Sequence, residues 1–173
     1  EETNGDDTIE GLLTLVKSHP GDAALHNRLG EALFQSGEHE KAQLQFEKAL
    51  QLNPGCIEAQ NNLGAVFWAT GKIEEALDRF RGVLEVDEDN LDALVNYATA
   101  CAQSGKDGES VELLQKYLSL VDEDFDVRFT LAEALWRSGK KEEALEELQA
   151  ILKVNPANHA AIEHLEMMKD SVA

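Results

Sequence analysis

The chain has 173 residues, 43% of them hydrophobic, with 15 Lys and Arg against 34 Asp and Glu and a formal net charge of −19. That acid excess excludes phosphate-rich partners as the natural class, because nucleic-acid affinity is drawn from Lys and Arg neutralising phosphates. Anionic membrane surfaces are disfavoured on the same ground, and a basic or apolar protein partner fits better.

The first helix signal is Asp7-Thr8-Ile9-Glu10, in which Asp7 caps and Glu10, three residues later, closes a capping box. Ile9, Leu12, Leu13 and Val16 follow as one apolar stripe, and Pro20-Gly21 stops it. From Ala23 onward the sequence repeats every 34 residues, with unit starts at 23, 57, 91 and 125 and a fifth at His159. A fixed period of this size is the mark of a stacked-repeat protein, in which each unit buries its apolar face on its neighbours. The clearest copy is Asn61-Asn62-Leu63-Gly64, closing at Thr70-Gly71. Its counterparts are Asn27-Arg28-Leu29-Gly30, Val95-Asn96-Tyr97-Ala98 and Phe129-Thr130-Leu131-Ala132, with turns at Ser36-Gly37, Ser104-Gly105 and Ser138-Gly139.

Each unit holds two helical patterns. In the first they run from Ala23 to Gln35 and from about Glu38 to Leu52, and Asn53-Pro54-Gly55 ends the pair because proline cannot continue a helix. The second unit ends near Asp87-Glu88-Asp89-Asn90, the third near Asp122 and the fourth at Asn155-Pro156; a last helix runs from about Asn158 to Asp170. Small residues recur on the first helices (Gly30, Gly64, Ala98, Ala132) and on the second (Ala42, Ala76, Ser110, Ala144), where they let two backbones approach. Large ones surround them: Leu29, Leu63, Tyr97 and Leu131, then Phe46, Phe80, Leu114 and Leu148.

These positions resemble the tetratricopeptide repeat family. The match includes the Leu-Gly/Ala pair, the apolar residue near its end (Leu33, Phe67, Cys101, Leu135), the turn glycine, the small residue of the second helix and the terminal proline. The resemblance implies an all-α fold, a right-handed α-solenoid of stacked helix-turn-helix repeats. Its divisions are a partial-repeat helix at 1–22, repeats at 23–56, 57–90, 91–124 and 125–158, and a capping helix at 159–173.

The resemblance also implies that the first helices line a concave groove with the second, fifth, sixth, ninth and twelfth residues of each unit. Here these are Ala24, Asn27, Arg28, Glu31 and Phe34; then Glu58, Asn61, Asn62, Ala65 and Trp68. Units three and four supply Asp92, Val95, Asn96, Thr99 and Ala102, and Asp126, Phe129, Thr130, Glu133 and Trp136. Asn62 and Asn96 share one position, and an amide can bond both groups of an extended peptide backbone. Phe34, Trp68, Phe129 and Trp136 are read as exposed ring anchors. Glu31, Glu58, Asp92, Asp126 and Glu133 make the groove acidic. Some family members clamp a terminal carboxylate with Lys and Arg. Their positions here hold Asn27, Glu31, Asn62, Asp92 and Asn96, or, one unit later, Asn61, Ala65, Asn96, Asp126 and Thr130, so no such clamp is expected.

Chemistry is not visible. The five histidines lack zinc-type spacing, and Gly71-Lys72, Gly105-Lys106 and Gly139-Lys140 lack the preceding glycine of a phosphate loop. Asp122, Asp124 and Asp126 with Glu133 imitate a calcium loop, but Val127 replaces its glycine and the repeat register makes the segment helical. Cys56 and Cys101 do not suggest a disulfide framework. No apolar run is long enough to span a membrane, and no secretory signal is visible. The chain opens at Glu1 without Met, as a trimmed segment does, and a cytoplasmic location is expected. The reading is a non-enzymatic scaffold, without cofactor or metal, that binds a peptide or helix bearing basic and apolar residues. The alternatives are a substrate-presenting segment of a larger enzyme, such as a glycosyltransferase, and a self-assembling structural scaffold.

Overall fold

In the computed structural model, residues 8–121 and 123–170 are described. They form ten α-helices and, among the described residues, no strand: α1 (Ile9–Ser18), α2 (Ala23–Gln35), α3 (His39–Leu52), α4 (Ile57–Ala69), α5 (Ile73–Val86), α6 (Leu91–Gln103), α7 (Asp107–Leu120), α8 (Phe125–Arg137), α9 (Lys141–Val154) and α10 (His159–Asp170). They fall into two compact units, residues 1–88 and 89–173.

One device punctuates every repeat. Gly37, Gly71, Gly105 and Gly139 all take φ between 76° and 86°, a region that costs glycine nothing because it has no Cβ. The residue after each glycine then donates its N–H back to the preceding helix: Glu38 to Leu33, Lys72 to Phe67, Lys106 to Cys101 and Lys140 to Leu135, at 2.8–2.9 Å. This closure satisfies carbonyls that a helix end leaves without partners and folds the second helix back on the first. The second helices need no side-chain cap there, and none of the four has one.

In the first unit α1 packs on α2, α2 on α3, α3 on α4 and α4 on α5, with α2 also touching α4. Its core is Leu12, Leu29, Leu33, Phe46, Leu63, Leu77 and Phe80 with small residues between them. Gly30 and Gly64 are required by contact: a Cβ on either would stand 2.6 Å from the ring of Phe46 or Phe80. In the second unit α6 packs on α7, α7 on α8, α8 on α9 and α9 on α10. There Ala98, Leu114, Leu131, Ala132, Leu135 and Leu148 form one buried cluster. Gly with Phe in the first two repeats thus gives way to Ala with Leu in the last two, trading volume across the same helix contact.

Two expectations change. Asp7 lies outside the described residues, and Thr8 caps α1 by accepting from Gly11 N at 3.1 Å, so Glu10 belongs to the first turn and closes no capping box. Asp122 also lies outside the described residues, as do positions 171–173.

Candidate functional site

In the first unit the face of α2 and α4 carries a closed polar network. Asn27 donates from Nδ2 to Glu31 Oε1 at 2.8 Å. Asn62 donates from Nδ2 to the same oxygen at 2.9 Å and to Asn27 Oδ1 at 3.2 Å. Asn27 is buried, Glu31 and Asn62 are half-buried, and the three hold adjacent repeats in register. The amide N–H groups of Asn62 therefore face a neighbouring helix, and its expected reach toward a ligand backbone is confined to Oδ1. Asn61 is buried as well, whereas Glu58 is exposed and Ala65 half-buried.

The expected exposed rings are half-buried and engaged. Phe34 meets the His39 ring at 5.2 Å between centroids. Phe129 stands edge-on to His164 at 4.5 Å. Trp136 lies under the Lys141 ammonium at 5.0 Å, a cation–π pair. Phe129 and Trp136 also pack against the buried cluster of the second unit. The rings of Phe34 and Trp136, at the twelfth position, lean on the second helix of their own repeats, and Phe129, at the fifth, leans on α10. Each still presents an edge to solvent, as does Trp68.

The second unit presents a different face. Asp92 and Asp126 are exposed on the first turns of α6 and α8, where carboxylates favour the positive helix end. Asn96 is half-buried. Thr99 and Thr130 donate their hydroxyls back to Val95 O and Asp126 O. Between α6 and α8 lies a recess of 420 Å³ lined by Thr99, Ala102, Gln103, Thr130, Glu133 and Arg137. Gln103 and Arg137 are additions to the expected set, which stopped at the twelfth residue of each unit. Arg137 donates Nε to Asp107 Oδ1 at 2.8 Å, and Glu133 Oε1 lies 3.5 Å from His164 Nε2. The recess thus holds one carboxylate, Glu133, and one guanidinium, Arg137.

Other titratable groups serve the fold. His26 is buried between Gln45 Oε1, at 2.8 Å, and Pro20 O, at 3.2 Å. Asp124 accepts Val127 N at 3.0 Å as the cap of α8, and its second oxygen accepts the Tyr117 hydroxyl at 2.9 Å, which holds that phenol above its usual range. Asp124 is thus occupied, and Asp126 to Glu133 lie within a helix, which a calcium loop does not permit. Burial raises the Cys56 thiol, and Cys101 is buried. Among the described residues no group of three or more His, Cys, Asp or Glu could hold a metal ion. No helix among them is long and apolar enough to cross a membrane.

An all-α chain of paired helices, each pair closed by a glycine turn, is a repeat scaffold. Tetratricopeptide repeat models match residues 23–56, 40–81, and 67–120 with 108–166. The chain belongs to the tetratricopeptide repeat family, whose members bind proteins or peptides. Among solved structures it is similar to YrrB, described as a TPR protein with an unusual peptide-binding site, at 22% identity and a TM-score of 0.82 over 95% of this chain and 84% of that one. It is also similar to MamA from Desulfovibrio magneticus, at 20% identity and a TM-score of 0.78 over 87% and 85% of the two chains. At such identities the likeness concerns the fold. No curated protein sequence matches the chain significantly.

Proposed function

We propose that this chain is a non-enzymatic interaction module whose first-helix face binds a segment of a protein partner rich in basic and apolar residues. The observation that carries this reading is the second unit's face, where an open recess between α6 and α8 includes Glu133 in its lining and the first turns of the same helices carry the exposed carboxylates Asp92 and Asp126. Ring edges supply apolar contact, the polar groups of the recess orient the ligand, and the carboxylates meet Lys or Arg and speed encounter. The partner is a protein or peptide, in keeping with the net charge of −19.

The test is affinity capture from native lysate with the wild-type chain and two double variants. Asp92→Asn with Asp126→Asn removes charge from the face; Glu142→Gln with Glu143→Gln removes the same charge from exposed positions on α9. The first pair is expected to lose captured partner and to flatten its salt dependence, and the second to behave as wild type. The reverse pattern would move recognition to the second helices.

A further inference from the structure

The recess between α6 and α8 opens beside a twelfth position that carries no ring. The twelfth position of the repeats carries Phe34, Trp68 and Trp136, but Ala102 in the third. The lining of the recess combines the Ala102 methyl with Thr99, Gln103, Thr130, Glu133 and Arg137. With a methyl at Ala102 and a volume of 420 Å³, the recess has room for a flat side chain of aromatic size.

The walls narrow the chemistry further. An ammonium would gain Glu133 but would sit beside the Arg137 guanidinium in the same recess. A carboxylate would meet Glu133, and Arg137 is already held by Asp107 at 2.8 Å. A plain phenyl ring would desolvate the carboxylate, amide and hydroxyls without replacing their hydrogen bonds. A neutral ring bearing one donor meets all three conditions. The second unit uses that pairing twice within itself: Tyr97 donates to Glu109 at 2.6 Å and Tyr117 to Asp124 at 2.9 Å.

We infer that the recess receives a tyrosine side chain of the partner, its ring over Ala102 and its hydroxyl donating to Glu133, with lysines of the same segment drawn to the carboxylates of the face. This rests on the reading of the first-helix face as the binding face, and names what one part of it takes. The repeat template makes the disabling variant benign to the fold, since Ala102→Trp restores the residue that the same register holds at positions 68 and 136.

The experiment is a titration of the isotope-labelled chain, followed by backbone amide resonances, with acetyl-Lys-Tyr-Lys-amide and with the Phe and Ala analogues of that peptide. Saturable shifts are expected at Ala102, Gln103, Thr130 and Glu133, with binding about tenfold weaker for the Phe analogue, the scale of one hydrogen bond to a charged group. Glu133→Gln should erase most of the difference between the Tyr and Phe peptides. Ala102→Trp, checked by circular dichroism to be folded, should weaken the Tyr peptide by about tenfold or more. Shifts elsewhere on α2, α4, α6 or α8, unchanged by Ala102→Trp, would overturn the tyrosine inference and leave the binding face standing. Shifts confined to α3, α5, α7 or α9 would overturn both. Equal affinity for the Tyr and Ala peptides, or no saturable shift, would overturn the inference alone, since capture of the natural partner tests the face independently.

Discussion

The first helices of the repeats, and α10 after them, share one cap position, and four of those five caps are oxygens. Asp22, Asn90, Asp124 and Asn158 each accept backbone N–H groups at the start of the helix that follows. Cys56 is the exception: its thiol donates to Glu58 at 3.5 Å and caps nothing. Its backbone, φ −74° and ψ 95°, is close to that of Asn90 at −63° and 107°. Cys56→Asn should therefore supply the missing acceptor and raise stability by about 1 kcal/mol in chemical denaturation. A lowered midpoint would show that the thiol does something a cap does not. Ser110 gives the opposite case. It replaces the alanine of Ala42, Ala76 and Ala144, it is fully buried, and its hydroxyl has no hydrogen-bond partner. Ser110→Ala should stabilise by about 1 kcal/mol, because an unmatched buried hydroxyl costs more than its absence. An unchanged or lower midpoint would mean that the hydroxyl is satisfied. Both predictions come from the register, which the sequence displays. The orphaned state of Ser110 does not, because it depends on how closely α6 and α7 approach.

Between helices, the pairing of a small residue with a large one sets the contact. Phe80 is 1% exposed and has nowhere to move if Gly64 gains a methyl. Gly64→Ala should gain about 1 kcal/mol of helix propensity and lose roughly 1–3 kcal/mol to overpacking, so that the clash prevails. Phe80→Leu alone should also destabilise, by leaving a cavity. Together they recreate the Ala and Leu of the third and fourth repeats, and the double variant should recover part of both losses, with a coupling of about 0.5–3 kcal/mol. Strictly additive losses would show that the two residues do not share one contact. The alternation of small and large positions was legible in the sequence, as were the helix bounds, because glycine turns and the repeat of apolar residues fix both. The expectation of exposed rings on the first helices was not met. The register places a ring on a face but does not reveal what leans on it; Phe129 against His164 joins helices two elements apart. Likewise Asn62 was legible as a groove position, while its bonds to Asn27 and Glu31 emerge only when α2 and α4 meet.

At the scale of the molecule, charge and repetition act together. A net charge of −19 steers a cationic partner toward the chain before contact. Raising ionic strength should therefore slow association more than it speeds release, measurable by surface-immobilised kinetics; release rates that carry the salt dependence would argue against steering. The family was legible in the motif repeated every 34 residues. The recess at Ala102 was not, because a recess between two helices forms only when both are in place, and Gln103 and Arg137 lie one step beyond the expected positions. For binding at the first-helix face the chain carries its own reporter. Its two tryptophans, Trp68 and Trp136, both stand at the twelfth position of first helices and are half-buried there. The direct measurement is tryptophan emission, with quenching by acrylamide, during titration with a captured partner segment that lacks tryptophan. A partner on that face should produce a saturable change in emission and reduced quenching, both tracking the binding seen by calorimetry. Calorimetric binding with unaltered emission and unaltered quenching would contradict binding at that face.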